Sequence, residues 1–121
     1  MRDVVIVDSV RTGLTKAFRG SFNLTRSDDM LAHCIDSLLD RNPNLSPEEV
    51  EDVVVGAATH AGEQDGNLAR LAVVLSKLPI TVAGVSINRF CSSGLQAIAI
   101  AANQIASGQT EVAIAGGVDS I

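Results

Sequence analysis

The chain has 121 residues, of which 46% are apolar, 19% charged and 2% aromatic, and its formal net charge is -5. These proportions predict one folded domain with a core of Val, Ile, Leu and Ala, and they exclude a disordered chain. The charge disfavours a nucleic-acid partner, because no basic surplus could neutralise phosphates. The sequence contains neither an apolar run long enough to span a membrane nor a signal peptide.

The first elements are predicted to be a strand, a long polar loop and a helix. Residues 4–7 are β-branched and contiguous, which indicates a buried strand, and residues 11–28 form the loop. Apolar residues then recur at helical spacing. Thr25 or Ser27 is predicted to cap this helix, which should end near Arg41, before an Asn-Pro pair.

The middle of the chain predicts a second strand and a second long helix. Ser46-Pro47-Glu48-Glu49 carries the signals of a capping box and leads into a strand at residues 53–55. A glycine-rich loop at 56–66 follows. Asn67 is predicted to cap a helix that ends before Pro79. The predicted buried face of that helix consists of Leu68, Leu71, Ala72 and Leu75.

The last third predicts a strand at 82–87, a helix at 92–107 with Gly108 as its C′ residue, and a strand at 112–115. Alternating strands and helices predict an α/β fold with a mainly parallel sheet covered by helices on both faces. The sequence stops directly after a strand, with no helix to cover it. We therefore expect the 121 residues to be the N-terminal part of a larger protein whose C-terminal half lies outside this chain.

Two cysteines stand at contrasting positions, and neither has a neighbour at metal-ligand spacing. Cys34 lies on the apolar face of the first predicted helix, which predicts a core residue. Cys91 lies between a strand and a helix, at the edge where α/β proteins bind ligands. Position alone leaves two interpretations of Cys91 open: a small core residue or a nucleophile.

The chemistry available to a nucleophile at residue 91 is specific. Unpaired N–H groups and the positive end of a helix dipole favour the thiolate and can hold an oxyanion. Ser92, Ser93 and Gly94 are small enough for an acyl group to approach. This arrangement predicts acyl transfer through a thioester.

A base for such a nucleophile is harder to find. The chain has only two histidines, and His33 is predicted to lie on the polar side of its helix. His60 follows the second predicted strand and is the only candidate within the chain. The basic residues Arg11, Lys16, Arg19 and Arg26 could bind an anion, although such residues more often form a solvated surface.

Four stretches together resemble the thiolase family. Residues 88–97 (NRFCSSGLQA) resemble its nucleophile motif, in which Cys91 is the acylated residue and Asn88, Ser93 and Gly94 are supporting residues. Residues 5–12, 63–70 and 115–120 resemble the first strand, the segment before the nucleophile strand, and the Gly-Gly-hydrophobic-acid-Ser segment. The resemblance follows the whole chain in order.

The resemblance implies a coenzyme A-dependent acyltransferase that makes or cleaves 3-ketoacyl-CoA by a ping-pong route. Cys91 would carry the acyl group and its backbone N–H would help to bind the oxyanion. Coenzyme A and acyl-CoA would be substrates, and no metal or permanently bound cofactor is expected. The implied fold has five layers, α-β-α-β-α, and the implied assembly is a homodimer or homotetramer. The cytoplasm is the default location for a chain without a signal peptide or a disulfide framework.

Some features depart from the family pattern. The family's general-base His, second Cys and oxyanion-hole Asn would lie beyond residue 121, so the chain alone is expected to be inactive. Phe90 and Ser92 replace a frequent Leu and Gly, which affects the pocket wall. Two alternatives stay open: a ketoacyl-synthase-like condensing enzyme, and a non-catalytic thiolase-like protein for lipid carriage or assembly.

Overall fold

The computed structural model describes all 121 residues. The helices are α1 (Ser27–Arg41), α2 (Leu68–Leu75) and α3 (Ser93–Ala106), and the strands are β1 (Asp52–Gly56), β2 (Ala83–Ile87) and β3 (Ala113–Gly117). Short 3₁₀ turns occupy Pro47–Glu49 and Gly62–Gln64. The strands are parallel in the order β2-β1-β3, which confirms the predicted α/β class. No helix combines the length and hydrophobicity needed to cross a bilayer.

The central strand β1 is buried on both faces because its three valines alternate between two cores. Val53 and Val55 pack with α1 and α2 in the larger core. Val54 faces the other way and packs with Ala97 and Ala101 of α3. Successive side chains of a strand point to opposite faces, so a run of valines fits a sheet covered on both sides. The predicted placement of helices on both faces is therefore confirmed.

The predicted first strand at residues 4–7 is wrong. Val5, Ile6 and Val7 are 75–81% exposed and form no strand. The segment is held at its two ends instead, because the Arg2 N–H donates to Ala106 O and the Asp8 carboxylate pairs with Arg41. A strand needs a neighbour for its backbone groups as well as apolar side chains, and residues 4–7 pair with none of the three strands.

The predicted capping of α1 is also wrong, although its end at Arg41 is confirmed. Arg26 occupies the N-cap position and makes no capping bond with its side chain. The Ser27 N–H donates instead to the Glu63 carboxylate at 2.6 Å. A carboxylate from a distant loop thus caps the helix, where its charge also suits the positive end of the dipole.

Asp28 in the first turn of α1 should make a pH-dependent contribution to stability. Its side chain is 5% exposed and pairs with Arg26 at 2.8 Å, and this hydrogen bond lowers the pKa of Asp28 below its ordinary value of 3.8. Because the folded-state pKa is lowered, the stabilisation is complete above the unfolded pKa and disappears as the pH falls through the folded pKa. We expect Asp28→Asn to lower the free energy of unfolding by about 1–2 kcal/mol at neutral pH.

Urea unfolding at neutral pH and at about pH 3 measures this effect, and the difference between wild type and Asp28→Asn should shrink at the lower pH. Asp29→Asn is the matched control, because Asp29 lies in the same turn but is exposed. Equal losses for the two variants at neutral pH would contradict the expectation.

The buried face of α2 differs from the predicted one. Leu68 and Ala72 are buried as predicted, whereas Leu71 and Leu75 are 42% and 49% exposed. Ala69 and Val73 are buried in their place. Hydrogen bonds to β2 fix this rotation, because the Ala69 N–H donates to Ser86 Oγ and Asn67 Nδ2 donates to Gly84 O.

Three predictions of where a helix begins or ends are confirmed. The Glu49 carboxylate accepts the Ser46 N–H at 2.8 Å, as a capping box requires. Asn67 caps α2 by accepting the Arg70 N–H at 3.1 Å. Gly108 follows the C-cap of α3 with a φ of 79°, a left-handed conformation that favours glycine.

Candidate active site

The candidate site lies at the carboxyl edge of the sheet, where three connecting segments meet. The register aligns Gly56 of β1 with Ile87 of β2 and Gly117 of β3, so all strands end together. The segments 57–67, 88–92 and 118–121 leave the sheet at this edge. Ligand sites of parallel α/β sheets form at such an edge.

Cys91 directly precedes Ser92, the N-cap of α3, and its side chain is exposed. Cys91 belongs to neither of the two apolar cores of this chain. Cys34 is half-buried, so its predicted place in the core is only partly confirmed, and burial raises the pKa of its thiol. The two thiols therefore differ in access to solvent.

A buried serine fixes the turn that carries Cys91, which we call the nucleophile turn (residues 88–92). Ser93 is 2% exposed. Its hydroxyl accepts the Arg89 N–H at 2.8 Å and donates to Phe90 O at 2.6 Å. Asn88 Oδ1 accepts the Phe90 N–H at 2.7 Å. These bonds hold Phe90 at a φ of 50°, in the left-handed region that is rare for residues other than glycine.

Three backbone N–H groups beside the thiol have no acceptor within the chain: those of Cys91, Gly94 and Leu95. Phe90 O is the acceptor that Gly94 would use in a regular helix. It already accepts both the N–H and the hydroxyl of Ser93. The start of α3 therefore presents free donors and the positive end of its dipole next to an exposed sulfur.

Close backbone packing brings the start of α3 onto the strand ends. A Cβ added to Gly56 would lie closer than 3.0 Å to the backbone carbonyl of Ser93. A Cβ added to Gly117 would lie 2.8 Å from Gly56 O and 3.1 Å from the Cα of Gly94. Glycine at these positions lets Ser93 and Gly94, at the start of α3, lie directly against the ends of β1 and β3.

A polar network that the sequence did not predict lies at the same edge. Gln64 is 1% exposed, its Nε2 donates to Thr59 O at 2.5 Å, and its Oε1 accepts the Ser120 N–H at 2.6 Å. The Asp119 carboxylate accepts N–H groups from Ala58 and Thr59. The only sequence signal for this network was the position of Gln64 and Asp119 in two of the stretches that resemble thiolases.

The structure does not pair His60 with Cys91, contrary to the base considered for it. His60 Nε2 lies 2.8 Å from Ala57 O and 3.3 Å from Ile87 O. Two carbonyl acceptors require this nitrogen to carry its proton, so it cannot accept one from a thiol. His60 instead links the ends of β1 and β2. His33 is exposed, as predicted.

The four basic residues considered for anion binding all lie on the surface. Arg26 is paired with Asp28, and Arg11 donates to Thr12 O at 3.2 Å. No two of these four residues share a hydrogen-bond acceptor. The arrangement is that of a solvated surface.

Comparison with known proteins identifies the family of this chain. A family model described as the thiolase N-terminal domain matches residues 4–121. The chain therefore belongs to the thiolase family. This match also separates it from the ketoacyl-synthase alternative.

Three individual relatives show which kinds of thiolase the chain is similar to. The chain is 44% identical to a beta-ketoadipyl-CoA thiolase of Pseudomonas putida over 100% of its own length. It is 43% identical to a 3-oxoadipyl-CoA/3-oxo-5,6-dehydrosuberyl-CoA thiolase of Escherichia coli (strain K12), again over 100% of its length. A 3-ketoacyl-CoA thiolase of Vibrio vulnificus (strain YJ016) is 40% identical over 98% of the chain. The chain spans 30–31% of the length of these relatives.

Proposed function

We propose that Cys91 is the acyl-accepting nucleophile of a thiolase that forms or cleaves 3-ketoacyl-CoA. One observation carries the proposal: an exposed thiol stands directly before α3, next to the free N–H groups of Cys91, Gly94 and Leu95. Such donors stabilise the negative oxygen that forms when sulfur attacks a carbonyl. The names of the relatives suggest 3-ketoacyl-CoA esters, including adipyl derivatives, as the substrate class.

In the degradative direction, the proposed reaction has two half-reactions. The Cys91 thiolate attacks the 3-keto carbon and forms a tetrahedral oxyanion, which collapses to the acyl-cysteine as the C2–C3 bond breaks. The electron pair leaves with the two-carbon CoA fragment, which takes a proton to become acetyl-CoA. The thiol of a second CoA then attacks the acyl-cysteine, releases the shortened acyl-CoA and returns Cys91 to the thiol state.

The proton transfers need groups that this chain does not provide near Cys91. His60 donates its Nε2 proton to backbone carbonyls, and no other histidine lies at the carboxyl edge of the sheet. In this proposal the chain supplies the nucleophile, its donors and their rigid support. The resemblance assigns the remaining His, Cys and Asn and most CoA contacts to the part of the relatives that this chain does not cover.

Acylation by acetyl-CoA tests the proposal. We join the chain to the remaining part of the Pseudomonas putida relative, mix the protein with acetyl-CoA and locate the adduct by peptide mass spectrometry. We expect an acetyl group on Cys91 that free CoA removes, and a loss of labelling of roughly 10²-fold or more in Cys91→Ala.

Cys34→Ala is the matched control and should label like the unmodified protein, because Cys34 lies on α1 and not at the carboxyl edge. An adduct that persists in Cys91→Ala, or that resides on Cys34, would refute the nucleophile role.

A further inference from the structure

We propose that Asp119 is a positioning residue for the nucleophile turn and that it acts through residues 57–59, the loop that follows β1. The inference rests on the proposed function of Cys91. In this role, the Asp119 carboxylate holds the main chain in the geometry that acyl transfer at residue 91 requires.

The first step is the contact between Asp119 and the loop after β1. The carboxylate accepts the Ala58 N–H at 2.9 Å and the Thr59 N–H at 3.2 Å. Gln64 Nε2 donates to the same carboxylate at 3.2 Å. Hydrogen bonds to an ionised acceptor are stronger than neutral ones, so a single side chain fixes two consecutive peptide units.

The second step runs from that loop to the nucleophile turn. Ala58 O accepts the side-chain N–H of Asn88 at 3.1 Å, and Asn88 Oδ1 accepts the Phe90 N–H at 2.7 Å. Phe90 is the left-handed residue immediately before Cys91. Three hydrogen bonds in series therefore connect Asp119 with the Phe90 N–H, one residue before Cys91.

The position of Asp119 on the surface indicates a role beyond holding the fold together. Asp119 is exposed and lies outside both apolar cores, whereas Gln64 beside it is fully buried. The Ser120 N–H donates to Gln64 Oε1, which fixes the backbone next to Asp119. An exposed side chain in this position has little effect on burial, but it sets the direction of the loop that holds Asn88.

Two chemical probes on the 121-residue chain separate a positioning role from an effect on stability alone. Acetylation by p-nitrophenyl acetate passes through a tetrahedral oxyanion and needs aligned N–H donors, whereas alkylation by iodoacetamide does not form an oxyanion. We expect Asp119→Asn to slow acetylation of Cys91 by about 10-fold and alkylation by less than about 3-fold. Asp119→Glu keeps a carboxylate and should recover most of the acetylation rate.

Glu111→Gln is the control, because it removes the same charge at the opposite end of β3, where Glu111 pairs only with Arg2 at 3.7 Å. It should change neither rate. Equal slowing of both reactions by Asp119→Asn, or no slowing, would overturn the positioning role. Neither probe contains CoA. A failure of the proposed function would therefore appear separately, as no transfer from acetyl-CoA while the effect of Asp119 on acetylation persists.

Discussion

Replacement of Gly56 by alanine is expected to lower the free energy of unfolding by about 3 kcal/mol, because the new methyl group has no space. The added Cβ would meet the backbone carbonyl and the Cβ of Ser93, and backbone atoms cannot turn away as the end of a flexible side chain can. Either the start of α3 or the end of β1 must move. Ser93 holds the nucleophile turn, so the same change should also slow acetylation of Cys91.

Gly116→Ala is the matched control for this experiment. Gly116 pairs with Val55 in the same sheet, and a Cβ added there would meet nothing within 4 Å. Its effect on stability should stay within about 0.5 kcal/mol. Chemical unfolding of both variants measures the difference. A Gly56→Ala variant as stable as Gly116→Ala would show that α3 does not rest on β1 as closely as described.

Iodoacetamide is expected to alkylate Cys91 about 100-fold faster than Cys34 near pH 8. Cys91 is exposed and stands at the positive end of α3, whereas burial raises the pKa of Cys34 and leaves less of it as thiolate. The thiolate is the reacting species, so solvent access favours Cys91 and the raised pKa disfavours Cys34. Mass spectrometry of the two cysteine peptides at short reaction times gives the ratio of rates.

The same measurement in concentrated guanidinium chloride provides the control, because unfolding removes burial and the helix dipole together. The two cysteines should then react at similar rates. A native ratio near one would contradict the contrast between the two thiols. If the ratio of the two rates persisted after unfolding, the local sequence and not the fold would cause the difference.

Local signals in the sequence predicted most elements, because those elements depend on neighbouring residues. Asn67 caps α2 by a bond that spans three positions, and Gly108 ends α3 through its own left-handed conformation. The three valines at 53–55 predicted a strand, which the structure places at the centre of the sheet. The junction of strand and helix around Cys91 was also readable, since a strand pattern and a helix pattern meet there.

Contacts between distant residues explain what the sequence could not predict. Glu63 caps α1 from a distance of 36 positions, so no capping motif near Ser27 revealed it. Asp119 bonds to residues 58 and 59 only because the strands end together. The run at residues 4–7 has the composition of a strand. Composition cannot tell whether a neighbouring strand is available to pair with it.

The strand order has a consequence for biosynthesis. Because β1 is the central strand and precedes both of its neighbours, it leaves the ribosome with no strand to pair with. Parallel pairing with β2 must wait for the crossover through α2, and pairing with β3 must wait for the longer crossover that ends with α3. We therefore expect a nascent chain to form the β1–α2–β2 unit first. The turn that carries Cys91 would be fixed only after that unit has formed, when Gly117 of β3 packs against Gly94.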